Sequence, residues 1–224
     1  MKISAIITAG GTSSRFGNTN KLLEKINGKE LIRYTVEAFL SVDIDQIVIC
    51  ANKTIIETLQ NIFKNYCGIK IIEGGSTRQA SVYNGLKAVE SDYVLIHDGA
   101  RPMITKEVIQ NTIQAVIDKK AVSVMTKTVD TIKEVDSSGK IIKTIDRTKL
   151  YNTQTPQAFE YNIIKSAHEK FKGQNFTDDA GLAEAFGYDV YIVQGDYRNI
   201  KVTTKPDLAL AAIYLGEIYG QQNI

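Results

Sequence analysis

The sequence predicts an α/β fold in which helices flank a mainly parallel sheet, and it indicates one domain spanning residues 1–224. Short apolar runs rich in β-branched residues alternate along the 224-residue chain with amphipathic stretches of helical period. This order is typical of parallel strands joined by right-handed helical crossovers. Glycine-rich or polar segments follow several of the apolar runs, so we expect these segments to meet at the carboxyl ends of the strands.

The first predicted strand, residues 3–7, is followed by the double glycine Gly10-Gly11, a polar loop with Arg15, and then Lys21. Glycines let backbone N–H groups approach an anion closely, and the two cations would neutralise its charge. The stretch therefore suggests a strand, a phosphate-binding loop and a cation, in that order. Taken alone, it fits an ordinary glycine-rich turn with two solvated cations equally well.

Two better-known phosphate loops also follow a first strand, and neither matches this one. The P-loop requires Lys and then Ser or Thr directly after its last glycine, whereas Asn18 follows Gly17. The dinucleotide fingerprint requires the spacing G-x-G-x-x-G, which Gly10, Gly11 and Gly17 do not have. The spacing therefore argues against an NAD-dependent enzyme.

Strand and helix patterns alternate from this loop to residue 125. A tight turn is predicted at Asn27-Gly28, and apolar residues of helical period follow from 32 to 40. Further strands are predicted at 46–50, 69–73, 93–96 and 121–125, and helices at 53–65, from Thr77 onward, and at 108–117. This is the order of a doubly covered, mainly parallel sheet.

The pattern changes at residues 127–149, where β-branched and charged residues alternate around a Ser-Ser-Gly turn at 137–139. This alternation predicts a two-stranded ribbon with polar faces. A two-stranded ribbon is only marginally stable alone, so we expect it to pack on a surface outside the sheet.

The last third of the chain returns to alternating elements after Pro156. Helices are predicted at 161–171, 180–186 and 207–219, a strand at 190–193, and an edge segment at 199–203 that carries Lys201. Pro206 suits the first turn of the final helix. Asp178 or Asp179 would either cap the helix at 180–186 or act as a ligand, and the sequence leaves both open.

The composition argues against several classes of protein. The net charge of +2, from 27 basic and 25 acidic residues, lacks the footprint of a nucleic-acid-binding protein. No apolar run approaches the roughly 18 residues of a membrane span, and polar residues interrupt the start of the chain where a secretory leader would be apolar. We therefore expect a cytoplasmic protein that binds neither nucleic acid nor membrane.

The cysteines and histidines are few and scattered. Cys50 and Cys67 form neither a disulfide framework nor a metal set, so we predict two buried structural thiols. His97 and His168 are too few and too far apart for a histidine-based zinc site or a conventional triad.

Two later strand ends add candidate ligands. Gly74-Gly75 repeats the double glycine of the first loop, and a predicted helix with Arg78 follows it. Asp98 ends the next strand beside Gly99, where a carboxylate can hold a divalent ion. The alternative for Asp98 is a cap or turn residue.

Read together, the first loop and five later segments resemble the 2-C-methyl-D-erythritol 4-phosphate cytidylyltransferases of the non-mevalonate isoprenoid pathway. These segments lie at residues 74–86, 97–102, 146–159, 177–180 and 199–204, in the family's order. The resemblance implies a Rossmann-like nucleotidyltransferase domain that transfers a cytidylyl group from CTP to a sugar-alcohol phosphate and releases pyrophosphate. It also implies that the ribbon at 127–149 is a dimerisation arm embracing a second subunit.

The resemblance assigns roles residue by residue. As catalytic cations it implies Arg15 and Lys21 at the triphosphate and Lys201 at the α-phosphate. It implies nucleotide binding by Ala9, Gly10, Gly11, Gly75 and Ser81, acceptor binding by Thr131 and Arg147 of the neighbouring subunit, and a metal at Asp98, Mg²⁺ or another divalent cation. Cations beside one carboxylate, without an obvious side-chain nucleophile, favour phosphoryl transfer to an already ionised acceptor.

The sequence departs from the family pattern within the first loop. Gly10 stands where the family usually has Ala, Ser13 where it has Gly, and Asn20 where a Pro is common. A side chain at position 13 would be strained if the loop requires a positive φ there. Two rival functions remain open, a ribitol-5-phosphate cytidylyltransferase and a non-catalytic nucleotide-binding module. The segments at 97–102 and 177–180 favour the methylerythritol enzyme.

Overall fold

A seven-stranded sheet forms the centre of the protein in the computed structural model, which describes residues 1–11, 16 and 19–220. The strand order is β11-β7-β10-β6-β1-β4-β5. The strands are β1 (Ile3–Ala9), β2 (Lys25–Ile26), β3 (Lys29–Glu30), β4 (Gln46–Ala51), β5 (Ile69–Glu73), β6 (Tyr93–Asp98), β7 (Ala121–Lys127), β8 (Lys133–Val135), β9 (Ile141–Thr144), β10 (Tyr151–Glu160) and β11 (Tyr191–Gln194). All pairings in this sheet are parallel except those of β10, which confirms the predicted fold class.

Helices cover both faces of the sheet. They are α1 (Leu31–Leu40), α2 (Ile56–Phe63), α3 (Arg78–Lys87), α4 (Lys106–Lys119), α5 (Tyr161–Lys170), α6 (Asp179–Phe186) and α7 (Lys205–Gly220). On one face, α1, α2, α4 and α7 pack against residues such as Ile7 and Ile49. On the other, α3, α5 and α6 pack against Ile6 and Val48. Because both faces are covered, β1 is apolar along most of its length rather than alternating.

Strand β10 was not predicted from the sequence. It runs antiparallel between β6 and β7, and its register shifts between Thr153 and Gln157. Pro156 lies within this shift, where the ladder is interrupted and the missing proline N–H is therefore tolerated. Pro156, after which the alternating elements were expected to resume, marks an irregularity inside this strand.

Two smaller expectations were also wrong. Residues 199–203 form no strand; Val202 N–H donates to the carbonyl of Ala100 at 2.8 Å, and the segment otherwise follows an irregular path. Cys50 is buried as predicted, but Cys67 is exposed in the turn before β5.

The hairpin β8–β9 projects from the sheet and is exposed throughout. Its strands pair only with each other, with Val135 opposite Ile141. The prediction of polar faces was wrong, because Val135, Ile141 and Ile142 are 52%, 57% and 57% exposed. Among the described residues, no helix is long and apolar enough to cross a membrane.

Candidate active site

A pocket of about 330 Å³ opens at the carboxyl ends of β1 and β6, and most of the predicted site residues line it. The lining consists of Thr8, Ala9, Gly10, Gly11, Lys21, Leu22, Gly75, Ser76, Thr77, Arg78, Ser81, Asp98, Ala100 and Lys201. Arg15, like Ser13, lies outside the described residues. Thr131 and Arg147 are exposed at the base of the hairpin and do not belong to the lining as the described residues define it.

The second double glycine allows α3 to begin against the end of β5. A Cβ at Gly75 would lie 2.4 Å from the Cβ of Ala80, and one at Gly74 would lie 2.9 Å from the Ser81 hydroxyl oxygen. Thr77 caps α3, since its hydroxyl oxygen accepts from the N–H of Ala80. The remaining N–H groups of this first turn supply donors and a positive dipole end at the wall of the pocket.

Ser81 is already engaged with the loop that it supports. Its hydroxyl donates to the carbonyl of Thr77 at 2.8 Å and accepts from the N–H of Gly75 at 2.9 Å. Gly75 and Ser81, both expected to bind the nucleotide, therefore hold each other in place. A contact from Ser81 to a ligand would use its remaining lone pair.

Asp98 is the electrostatic centre of the pocket. Its carboxylate contacts Lys201 Nζ at 2.8 Å, Arg78 Nε at 3.3 Å and Arg101 Nε at 3.6 Å. Thr8 adds a hydroxyl contact at 3.3 Å. Burial alone would raise the pKa of the Asp98 carboxyl, but the surrounding cations hold it well below its usual range. Asp98 is therefore ionised at neutral pH, and three cationic side chains contact its carboxylate.

The backbone at Asp98 is anchored by Thr155 and His97. The Thr155 hydroxyl oxygen accepts from the Asp98 N–H at 3.1 Å, and its hydrogen points to His97 Nδ1 at 3.0 Å. His97 Nε2 then donates to the carbonyl of Arg101 at 3.2 Å. Burial lowers the pKa of His97 to about 3, so the ring is neutral and both nitrogens are engaged. His97 is a structural support of the site.

Arg101 links this strand end to the loop that carries Lys201. Its Nη1 donates to the carbonyl of Asn199 at 2.7 Å, and the Asn199 amide donates to the carbonyl of Thr155 at 3.0 Å. Sequence reasoning missed Arg101 as a site residue. Its position three residues after Asp98, in the turn that follows β6, was the signal that could have identified it.

The two aspartates at 178 and 179 have different roles. Asp178 caps α6, since its Oδ1 accepts from the N–H of Gly181 at 3.0 Å. Asp179 is buried and accepts a hydrogen bond from Arg78 Nη1 at 2.7 Å. Sequence reasoning named both residues without separating them, because the partner of Asp179 is 101 residues away.

The pocket fits a divalent cation only together with a ligand's phosphates. Asp98 is the single carboxylate among the described lining residues, and the described chain has no cluster of three His, Cys, Asp or Glu that could hold a metal. Mg²⁺ is usually held by one or two carboxylates, with substrate phosphates and water completing its shell. A single carboxylate in a pocket that is also lined by Lys21, Arg78 and Lys201 meets that requirement.

Arg147 and Thr131 lie on the hairpin side of the protein. Arg147 Nη1 donates to the carbonyl of Val129, which ties the two ends of the projecting segment together. Both residues are exposed. Their predicted contact with an acceptor phosphate stays a prediction, as do the roles of the residues in the pocket.

Comparisons with a family model and with curated relatives lead to the same family. The family model of 2-C-methyl-D-erythritol 4-phosphate cytidylyltransferase (IspD) matches residues 3–217. The enzyme of that name from Caldanaerobacter subterraneus is 41% identical over 96% of this chain and 99% of its own. Its namesake from Clostridioides difficile is 42% identical over 93% of this chain and 91% of its own.

Solved structures agree with these relatives. The 4-diphosphocytidyl-2C-methyl-D-erythritol synthase of Anaerococcus prevotii superposes with a TM-score of 0.86 at 36% identity, covering 96% of this chain and 98% of that one. The cytidylyltransferase of Thermus thermophilus gives a TM-score of 0.81 at 28% identity, covering 96% and 99%. The ribitol-5-phosphate alternative is not favoured by these matches. The chain therefore belongs to the 2-C-methyl-D-erythritol 4-phosphate cytidylyltransferase family and is a nucleotidyltransferase.

Proposed function

We propose that this chain transfers a cytidylyl group from CTP to 2-C-methyl-D-erythritol 4-phosphate and releases pyrophosphate, in isoprenoid precursor biosynthesis. The observation that carries the proposal is the convergence of Lys21, Lys201 and Arg78 with Asp98 around one pocket in a member of this family. The cations of the pocket outnumber its one described carboxylate, so the pocket suits a strongly negative ligand.

The chemistry requires alignment and charge neutralisation rather than a protein nucleophile. A substrate phosphate is already ionised near neutral pH and can attack the α-phosphorus of CTP in line. Burial raises the pKa of the Cys50 thiol to about 12, which excludes it as a thiolate, and both ring nitrogens of His97 are engaged. We therefore infer a single displacement without a covalent enzyme intermediate.

In this proposal the cations change partners when CTP binds. Lys201 is 40% exposed and reaches Asp98 from the pocket mouth, so a short movement would bring its ammonium to the α-phosphate. Lys21 would neutralise the departing pyrophosphate, together with Arg15. Asp98 would be the residue that holds Mg²⁺, and the ion, when bound, would supply Lewis-acid stabilisation of the transferring group.

We further propose that the acceptor site is completed by a second copy of this chain. Support comes from the hairpin, whose apolar residues Val135, Ile141 and Ile142 are half exposed or more, and from the exposed guanidinium of Arg147 beside it. Arg147 and Thr131 of one subunit would hold the sugar phosphate in the pocket of the other. A cytoplasmic location belongs to the same proposal, because CTP is an intracellular nucleotide.

The function is tested by replacing Lys21 and Lys201 separately with alanine. Each substitution removes positive charge from a transition state that concentrates negative charge, so we expect turnover to fall by roughly 10²-fold or more. Pyrophosphate release from CTP should be followed with methylerythritol phosphate and, in parallel, ribitol 5-phosphate as acceptor. Lys64→Ala on an exposed helix end serves as the control. Turnover near that of the control would remove the lysine from the mechanism, and preference for ribitol 5-phosphate would overturn the substrate assignment.

A further inference from the structure

Arg78 lies between two buried carboxylates, and only one of them belongs to the pocket. Its Nε is 3.3 Å from Asp98 Oδ1 and its Nη1 is 2.7 Å from Asp179 Oδ2. Asp98 lines the pocket, whereas Asp179 is not among the described lining residues and is only 2% exposed. Arg78 is therefore the side chain that connects Asp179 to the pocket.

The position of Arg78 requires such a partner. Arg78 is the first residue of α3, and the positive end of a helix dipole disfavours a cation there. Burial alone would lower the pKa of Arg78, but Asp179 and Asp98 raise it above its ordinary value. Asp179 is itself the first residue of α6, where the dipole favours a negative charge. The two helix starts thus place a cation and an anion against each other.

His168 fixes the other oxygen of Asp179. Its Nε2 is 3.0 Å from Asp179 Oδ1, and because an ionised carboxylate can only accept, Nε2 carries the hydrogen. The Asp179 backbone N–H donates to Gln157 Oε1 at 2.9 Å. The buried His168 ring also stacks on Tyr83 of α3, with centroids 6.2 Å apart. Asp179 is therefore held at both carboxylate oxygens and at its backbone.

We propose that Asp179, held by His168, is a positioning residue that fixes the direction of the Arg78 guanidinium in the pocket. With Nη1 bound to Asp179 and Nε to Asp98, Nη2 has no partner among the described residues and is available to a phosphate oxygen. This inference rests on the proposed function, since the ligand that Arg78 would meet is the triphosphate of CTP. An arginine already fixed in direction loses less side-chain entropy when the anion binds.

A matched pair of substitutions tests the proposal. Asp179→Asn and Glu184→Gln each remove one negative charge from α6, but Asp179 is buried against Arg78 whereas Glu184 is exposed. We expect Asp179→Asn to raise the KM for CTP about tenfold while kcat changes by less than about threefold. Glu184→Gln changes an exposed side chain and should leave both constants close to those of the wild type.

A double-mutant cycle separates positioning from general structural support. If Asp179 acts through Arg78, Asp179→Asn should have little further effect on the KM for CTP in an Arg78→Ala background. An equal effect in both backgrounds would overturn the proposal, as would a KM increase of the same size in Glu184→Gln. Thermal unfolding of each variant establishes that the compared proteins are folded.

Two substitutions of His168 keep the proposal testable if Asp179→Asn does not fold. His168→Phe retains a ring but loses the donor to Asp179, so the KM for CTP should rise; His168→Gln restores an N–H donor and should recover part of the loss. Equal KM values for the two variants would contradict the positioning role. If the wild type itself releases no pyrophosphate from CTP, the proposed function fails; if it is active and these variants match it, only the positioning inference fails.

Discussion

The pocket and the β8–β9 hairpin differ in whether their side chains find partners within the same chain. In the pocket, Asp98 meets Lys201, Arg78 and Arg101 within the same chain. In the hairpin, every residue of both strands is exposed, and Ile141 and Ile142 each leave 57% of their surface in solvent. Among the described residues, the charge of Asp98 is partnered within one chain, whereas the apolar side chains of the hairpin are left uncovered by that chain.

The difference follows from the cost of burial. A buried charge without partners is strongly destabilising. The cations that pair with Asp98 therefore have to come from the same folded chain as Asp98. An exposed hairpin has no such constraint, but a two-stranded ribbon is marginally stable and its apolar side chains gain by packing elsewhere. Substitutions in the two regions should therefore affect different measurements.

The largest effect is expected for Asp98→Asn in the pocket. The amide keeps the shape but loses the charge that gathers Lys201, Arg78 and Arg101, so these cations would repel one another. If Asp98 holds Mg²⁺ as proposed, the ion would also lose its carboxylate ligand. We expect turnover to fall by roughly 10²–10³-fold, with a higher Mg²⁺ concentration needed for half-maximal rate. Pyrophosphate release measured across an Mg²⁺ titration gives both quantities.

Superimposable Mg²⁺ titration curves for the wild type and Asp98→Asn would contradict the metal role. Asp98 would then be a residue that only organises its neighbouring cations. Comparison of thermal unfolding in the two proteins would show whether that organisation stabilises the fold.

The parts of the fold that sequence could predict are those encoded locally. Strands such as β5, observed at Ile69–Glu73, and helices with a clear apolar period lie where the pattern indicates. Strand β10 was missed because Pro156 interrupts its local pattern, while pairing with β6 and β7 on both sides stabilises it. Tertiary pairing outweighed the local signal there.

The same distinction holds within the site. Gly10, Gly75 and Asp98 were predictable as pocket residues because topology brings strand ends together. The contact of Arg78 with Asp179 was not, because it joins the starts of two helices 101 residues apart. For the hairpin, alternation predicted the two strands, but the exposure of apolar side chains on them depends on what packs there, which a single sequence does not encode.

The second-largest effect is expected on acceptor binding, for a residue that lies beside the hairpin rather than in the pocket. Arg147→Ala removes an exposed guanidinium outside the pocket of its own subunit. If it serves the acceptor of the neighbouring subunit, the KM for methylerythritol phosphate should rise about 10- to 100-fold while CTP binding changes little. Steady-state kinetics with each substrate varied, and CTP titration by calorimetry, distinguish the two.

Mixing two impaired proteins, at an acceptor concentration well below the KM of Arg147→Ala, sharpens this prediction. In mixed dimers of Lys21→Ala and Arg147→Ala subunits, one pocket collects both defects and the other collects neither, so activity should partly return. Subunit exchange must be verified with labelled chains. No recovery under verified exchange would assign Arg147 to its own chain's function.

The smallest effect on the folded subunit is expected for Ile142→Ser in the hairpin. Because Ile142 is 57% exposed, its replacement should change the free energy of unfolding of the subunit by no more than about 0.5 kcal/mol. Ile49→Ala is the matched contrast, since Ile49 is fully buried in β4, and truncation of such a residue typically costs about 2–5 kcal/mol.

Ile142→Ser should nevertheless weaken self-association if the hairpin packs on a second copy. Burying an isoleucine side chain against a partner contributes on the order of 1.5–3 kcal/mol, so loss of part of that burial should raise the dimer dissociation constant by roughly tenfold or more. Sedimentation velocity across a concentration series measures the constant, and denaturant unfolding well below it reports the subunit alone. An unchanged dissociation constant with an unchanged unfolding free energy would mean that Ile142 faces solvent in every state, and the hairpin surface would then have to be assigned to Val135 and Ile141, which pair with each other.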